Sequence, residues 1–388
     1  MLSASRIEQL TGLRFLAALG VLLCHWYILA PQMGPQFLFE LGGHGVTLFF
    51  ILSGFVLTWR YDTHQDTPTP TGRPTQQPLD GTLFAITRVA RIAPLYWLAL
   101  LLTGLAYWLF SPAIALGPAP QHTTDWVVGW ALNMLALQAW VPNESVQQFW
   151  NAPGWSISAE FFFYACFPWL LQRHWLSGSA QSFAGVLVFF GFLVGLYLVG
   201  WPLWSHEETL MLSFASRLPL LGLLPFVVGM LCCRMLRRHH SWHRHQSGWT
   251  VVVGLLLVGT AWLTNVWTDA PLPLQTQLLV SYFMYVPLFA LLIVSVALDE
   301  GPIGRWLCSP TLVLLGNASY ALYLLHWLPL GMALHWVGPG QASLPIVMVG
   351  MLGLIVLSVG AYLWFEAPLR VRVSTGLQRL LCDNSRMV

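Results

Sequence analysis

Ten residues separate Arg14 from His25 inside LTGLRFLAALGVLLCHWYILA, an otherwise apolar stretch long enough to cross a bilayer as a helix. Eleven steps of about 100° come to about 1100°, within roughly 20° of three full turns, so both side chains share one helical face. At 1.5 Å per residue they stand ~16 Å apart along the axis. A guanidinium can hold a phosphate through paired hydrogen bonds, and an imidazole can remove a proton from a hydroxyl. Taken alone, the pair is equally compatible with a snorkelling juxtamembrane arginine and a hydrogen-bonded packing histidine.

Three further groups carry the same kind of chemistry. Glu160 sits in WSISAEFFFYACFPWLL among aromatic residues, where a carboxylate needs a partner. An imidazole is the natural one, because a carboxylate orients the ring of a general base; bracing of neighbouring helices is the alternative. Arg88 and Arg91, three apart in ITRVARIAPLYWL, share a face just before an apolar run and suit phosphate, although the positive-inside rule explains either of them singly. Tyr320, Tyr323 and His326 in NASYALYLLHW are candidates for the side on which an acceptor enters, with aromatic packing an equal account of the tyrosines.

These residues must be positioned by membrane helices. Apolar residues make up 56% of the 388 and charged residues only 8%, with a mean hydropathy of +0.65, far from the roughly 25% charged of a soluble domain. The chain reads as an all-α, polytopic integral membrane protein. Spans are expected near 10–30, 44–60, 90–110, 156–172, 183–201, 216–236, 249–267, 277–298, 310–330 and 344–365. Residues 126–141 form a short run with Asn133 and Gln138, expected to be re-entrant or interfacial. This gives about ten transmembrane helices in one domain over 1–370, followed by a short cytoplasmic tail, 371–388.

Arginine placement sets the orientation. All seventeen basic residues are arginine. With both termini cytoplasmic, Arg60, Arg73, Arg88, Arg91, Arg173, Arg234, Arg237, Arg238, Arg244, Arg305 and the tail arginines face inward and only Arg217 lies near the outer face. His25, Glu160 and His326 then fall at similar depth in the outer half of the bilayer, and Arg14 joins Arg88 and Arg91 at the inner surface. This spacing suits a phosphate-bearing donor entering from the cytoplasm.

Other features point away from chemistry. The six cysteines lack CxxC spacing and read as small membrane hydrophobes, the 61–81 stretch as a flexible connector, and RRHHSWHRHQ as a basic loop rather than a metal site. A net charge of +2 without a dense basic tract gives no sign of nucleic-acid binding. The first apolar segment has no clear cleavage site and reads as a retained span.

LTGLRFLAALGVLLCH, GVTLFFILSGFVLTW, RVARIAPLYW, NAPGWSISAEFFFYACFP, NASYALYLLHW and FEAPLR follow one another in this order. The chain thereby resembles the membrane-bound acyltransferase 3 family from about Ile7 to Arg370. The resemblance implies about ten spans in the bacterial inner or plasma membrane and transfer of an acyl group, usually acetyl, from cytoplasmic acetyl-CoA to a hydroxyl of an extracytoplasmic carbohydrate such as O-antigen or exopolysaccharide. It implies catalytic roles for His25 and Glu160 and donor binding by Arg14, Arg88 and Arg91, with acetyl-CoA as co-substrate and no tightly bound cofactor. Thr11 and Thr47 replace an Asp common in that family, and Phe161 a Glu, which bears on substrate subclass. Some members carry an extracytoplasmic hydrolase-like domain; the expectation here is transfer by the membrane domain itself, with a separate extracytoplasmic partner or a homo-oligomer left open. The competing class is a transporter or flippase of a lipid-linked or acylated saccharide, against which the lack of visible repeats counts.

Overall fold

The computed structural model describes residues 5–62, 79–204, 216–238, 245–267 and 284–384. Most of the 61–81 connector, the centre of the histidine-rich loop, the start of the expected 277–298 span and the end of the tail lie outside them. The described residues form sixteen α-helices and no strand: α1 Ser5–Trp26, α2 Gln36–Gly43, α3 Gly45–Tyr61, α4 Gly81–Leu109, α5 Thr123–Met134, α6 Glu144–Gln148, α7 Trp155–Leu171, α8 Ala180–Trp204, α9 Pro219–Arg238, α10 Gly248–Trp267, α11 Val286–Leu298, α12 Pro302–Leu307, α13 Pro310–Leu325, α14 Trp327–Val337, α15 Leu344–Ala361 and α16 Ala367–Asn384.

Among the described residues six stretches are long and apolar enough to cross a bilayer: Glu8–Leu29, Gln36–Tyr61, Gly81–Leu109, Pro219–Arg238, Gly248–Asn265 and Leu344–Val373. A seventh is the pair α13 and α14, bent by 49° at His326. Exposed apolar side chains on α10 and α15, such as Leu255, Val349 and Leu352, form the outward face expected where lipid replaces water. The described helices thus carry six or seven of the ten expected crossings. Residues 126–141 do not cross as one helix, since α5 has 12 residues, about 18 Å, and ends before Ala136 turns the chain with φ of 54°.

Close backbone contact, which small residues permit, sets the helix directions. A Cβ on Gly316 of α13 would lie 1.9 Å from the carbonyl oxygen of Thr11, and further along His326 meets His25, so α1 and α13 run parallel. Gly54 of α3 abuts Phe226 of α9 in the same manner, and Asp62 meets Arg234, so these two helices are also parallel.

The expected span 156–172 is a helix of nearly those bounds, Trp155–Leu171, and the correction to the sequence reading lies in its level. Gly154, just before α7, packs on Tyr96, the sixteenth of the 29 residues of α4, while Phe84 near the start of α4 stacks on Phe167. Helix α7 is therefore antiparallel to α4 and starts level with its middle. The level above is filled by α5, α6 and the turn at Asn151, where Tyr107 hydroxyl donates to the Phe149 carbonyl at 2.5 Å and Asn133 to those of Gly129 and Val146. Folded chain, and not α7, therefore packs against the second half of α4.

Some arginines assigned by sequence to simple charge bias are structural. Arg234 pairs with Asp62 at 2.7 Å and donates to the carbonyls of Leu171, Arg173 and Leu176, satisfying the end of α7; Arg237 does the same for Trp59 and Asp62 at the end of α3. Asp299, between α11 and α12, plays the converse part. It accepts from Thr250 at 2.7 Å, Ser247 at 2.8 Å and the Gly301 N–H at 2.7 Å. Burial pushes its carboxyl up, but these donors outweigh burial and hold it below the usual carboxylate range. A carboxylate so depressed contributes stability above its ordinary pKa and loses it as the pH falls through the folded value. Asp299→Asn should therefore cost about 1–3 kcal/mol at neutral pH. In thermal unfolding of the detergent-solubilised protein, its deficit should narrow in acid below about pH 4.

Candidate active site

A cavity of about 100 Å³ lies among α1, α3, α4, α7 and α13. Its polar lining comprises Arg14 from α1, Ser53 from α3, Arg88 and Arg91 from α4, Ser156, Glu160 and Tyr164 from α7, and Asn317, Ser319, Tyr320 and Tyr323 from α13. Helix α4 begins where Asp80 accepts from the N–H groups of Thr82 and Leu83, and the three-residue interval then turns both arginines to one side.

The three guanidiniums differ in how they are held. Arg88 is buried, lies 5.7–5.9 Å from the rings of Phe84, Tyr61 and Tyr164, and donates to the Tyr61 hydroxyl at 3.3 Å. Aromatic faces stabilise its charge without consuming its donors, and its Nε has no partner. Arg14 and Arg91 are half-buried, and among the described residues neither makes a hydrogen bond to protein or an ion pair within 4 Å. Two guanidiniums lining a cavity without protein acceptors keep donors that an anion could take.

Glu160 belongs to this cavity and does not pair with His25. Its carboxylate accepts from Tyr164 and, at 3.3 Å, from Ser53. The expected level of Glu160 was too high because α7 starts in the middle of the protein. Tyr164, one turn after Glu160 on the same face, was findable by its four-residue spacing. Ser53 was not, because it comes from another helix.

His25 is paired with His326 instead. Nδ1 of His25 lies 2.8 Å from Nε2 of His326, and Trp327 abuts the His25 ring edge to face at 5.2 Å. His326 is buried, with Nδ1 3.2 Å from the Leu322 carbonyl oxygen. Between the histidines and the arginines stand the two tyrosines. Tyr323 lines the cavity, reaches within 6.0 Å of His326 ring to ring, donates to the Pro153 carbonyl at 3.0 Å and accepts from Ser156 at 2.9 Å. Tyr320, lower on α13, donates to the Ile92 carbonyl at 2.8 Å. Both hydroxyls anchor backbone at the cavity wall.

The sequence matches the profile of the acyltransferase domain family over residues 7–363. The chain belongs to the acyltransferase 3 family. It is 29% identical to the acyltransferase MdmB of Streptomyces mycarofaciens over 372 residues, 89% of this chain and 87% of that protein. It is 26% identical to the exopolysaccharide production protein ExoZ of Rhizobium meliloti (strain 1021) over 340 residues, 85% of this chain and 90% of that protein. No solved structure matches it. This member of the family is thus a membrane-domain acyltransferase whose cavity presents cations at one end and a histidine pair beyond the other.

An anion that bridges Arg14 and Arg91 should stabilise the fold by mass action. Pyrophosphate should raise the thermal unfolding temperature of the purified protein beyond sodium chloride of equal ionic strength, and the double substitution Arg14→Ala, Arg91→Ala should abolish the difference.

Proposed function

We propose that this acyltransferase takes an acetyl group from cytoplasmic acetyl-CoA and transfers it to a hydroxyl of an extracytoplasmic carbohydrate. The observation that carries the donor is the pair of unpartnered guanidiniums, Arg14 and Arg91, beside the aromatic-caged Arg88. Phosphates are the anions that such an array fits best, because each guanidinium can give two parallel hydrogen bonds to phosphate oxygens. The arginine distribution of the loops favours a cytoplasmic opening for this end, and with it cytoplasmic termini. An acceptor of carbohydrate type is supported by the similarity to ExoZ, whose name ties it to exopolysaccharide production.

In this reading the thioester arm runs from the arginines past Tyr320 and Tyr323 toward His25, the ~16 Å reach set by eleven helical steps. The acceptor hydroxyl loses its proton to His25 as its oxygen forms a bond to the thioester carbonyl carbon. The carbon–sulfur bond then breaks, and the proton passes to the departing sulfur, leaving an ester and free thiol. Glu160 acts on the donor side: it offsets part of the positive charge of the cavity and fixes Tyr164 and Ser53 against it.

Purified protein in lipid should consume labelled acetyl-CoA and label an added saccharide acceptor. His25→Ala should reduce that rate by about 10²- to 10⁴-fold while inserting normally. Arg14→Ala should weaken donor affinity by about tenfold or more in calorimetry, the loss of a charge-assisted hydrogen bond. Wild-type protein that never cleaves the thioester, or His25→Ala with full activity, would refute the assignment.

A further inference from the structure

The contact between His25 and His326 determines which nitrogen of His25 is available. The ring planes are inclined by only 6° and their centroids are 5.1 Å apart, which matches the 2.8 Å N···N distance plus one ring radius at each end. The imidazoles therefore meet edge to edge in one plane, the geometry of an N–H···N hydrogen bond, and not face to face.

The direction of that bond follows from the far side of His326. Its Nδ1 is 3.2 Å from the carbonyl oxygen of Leu322. A carbonyl only accepts, so Nδ1 of His326 carries the hydrogen. In a neutral imidazole Nε2 is then bare and must be the acceptor in the bond to His25. Nδ1 of His25 accordingly carries a hydrogen, and its Nε2 has the lone pair. No carboxylate hydrogen-bonds either ring among the described residues, so nothing compensates a second proton in the resting pair. The Leu322 carbonyl, with two lone pairs, takes this bond beside the one it accepts from the His326 backbone N–H at 3.2 Å.

We propose that His326 is a positioning residue, which locks His25 in the Nδ1–H tautomer and leaves Nε2 as the basic atom. When Nε2 takes the acceptor hydroxyl proton, His25 becomes a cation whose Nδ1–H still donates to Nε2 of His326, now as a charge-assisted bond. The proton leaves Nε2 for the thiolate sulfur, and both rings return to their starting state. The role matches that of the group behind the histidine in a hydrolase triad, with a neutral imidazole backed by a backbone carbonyl in place of a carboxylate. The chemical consequence rests on the acyl-transfer reading above; the tautomer is a property of the fold alone.

Two variants separate positioning from packing. In His326→Gln the side-chain amide oxygen can take the place of Nε2 and accept from His25, whereas His326→Leu fills the space without an acceptor. The expected result is a kcat within about tenfold of wild type for the Gln variant and a loss of about 10²- to 10⁴-fold for the Leu variant, with donor KM unchanged in both. Nitrogen-15 NMR of histidine-labelled protein, with the His25 signals assigned by their loss in His25→Ala, should show Nδ1–H in wild type and Gln and a mixture of tautomers in Leu. Wild-type kcat in the Leu variant, equal losses in both variants, or His25 protonated on Nε2 in wild type would overturn the proposal. If wild type cleaves no acetyl-CoA at all, the acyl-transfer reading falls and the NMR tautomer alone decides this one.

Discussion

Helix α13 lies against the backbone of α1 because Gly316 has no side chain to hold it away from Thr11. This approach fixes two parallel rods in register, and the candidate site residues are distributed along them. Arg14 stands near the glycine contact, Tyr320 and Tyr323 follow on α13, and the two histidines close the upper end. A side chain at position 316 would have to displace one of the rods. The cavity lining and the histidine pair would then both be pulled apart, since each takes residues from both rods.

The second constraint is charge. Three guanidiniums inside a membrane domain are costly unless they are compensated, and the protein compensates them unequally. Arg88 is surrounded by aromatic faces, while Arg14 and Arg91 keep their donors unused. Glu160 is close enough to lower the local field, but its hydrogen bonds go to Tyr164 and Ser53. The contrast with Arg234 and Arg237 is instructive. Those arginines spend their donors on Asp62 and on carbonyls at helix ends, so they hold the fold and have little left for a ligand.

The sequence reading makes Glu160 the partner of His25, and the structure gives each another partner. Counting along a membrane-crossing helix over 156–172 puts Glu160 level with His25. Helix α7 begins instead beside Tyr96, beneath the chain that includes α5, α6 and Trp150. The displacement moves Glu160 to the arginines and leaves His326 as the partner of His25.

Sequence by itself determined the membrane class, the helical nature of the chain, the family and, Tyr164 apart, the ionisable residues now found at the site. It did so because apolar runs, charge depletion and the 11-step interval from Arg14 to His25 are local properties. The common face of Arg88 and Arg91 is local too, following from three residues of α-helix. Which groups touch was decided only by the tertiary structure. The start of α7, the parallel packing of α1 on α13 and the bend at His326 depend on contacts between segments distant in sequence, and no periodicity within one helix encodes them.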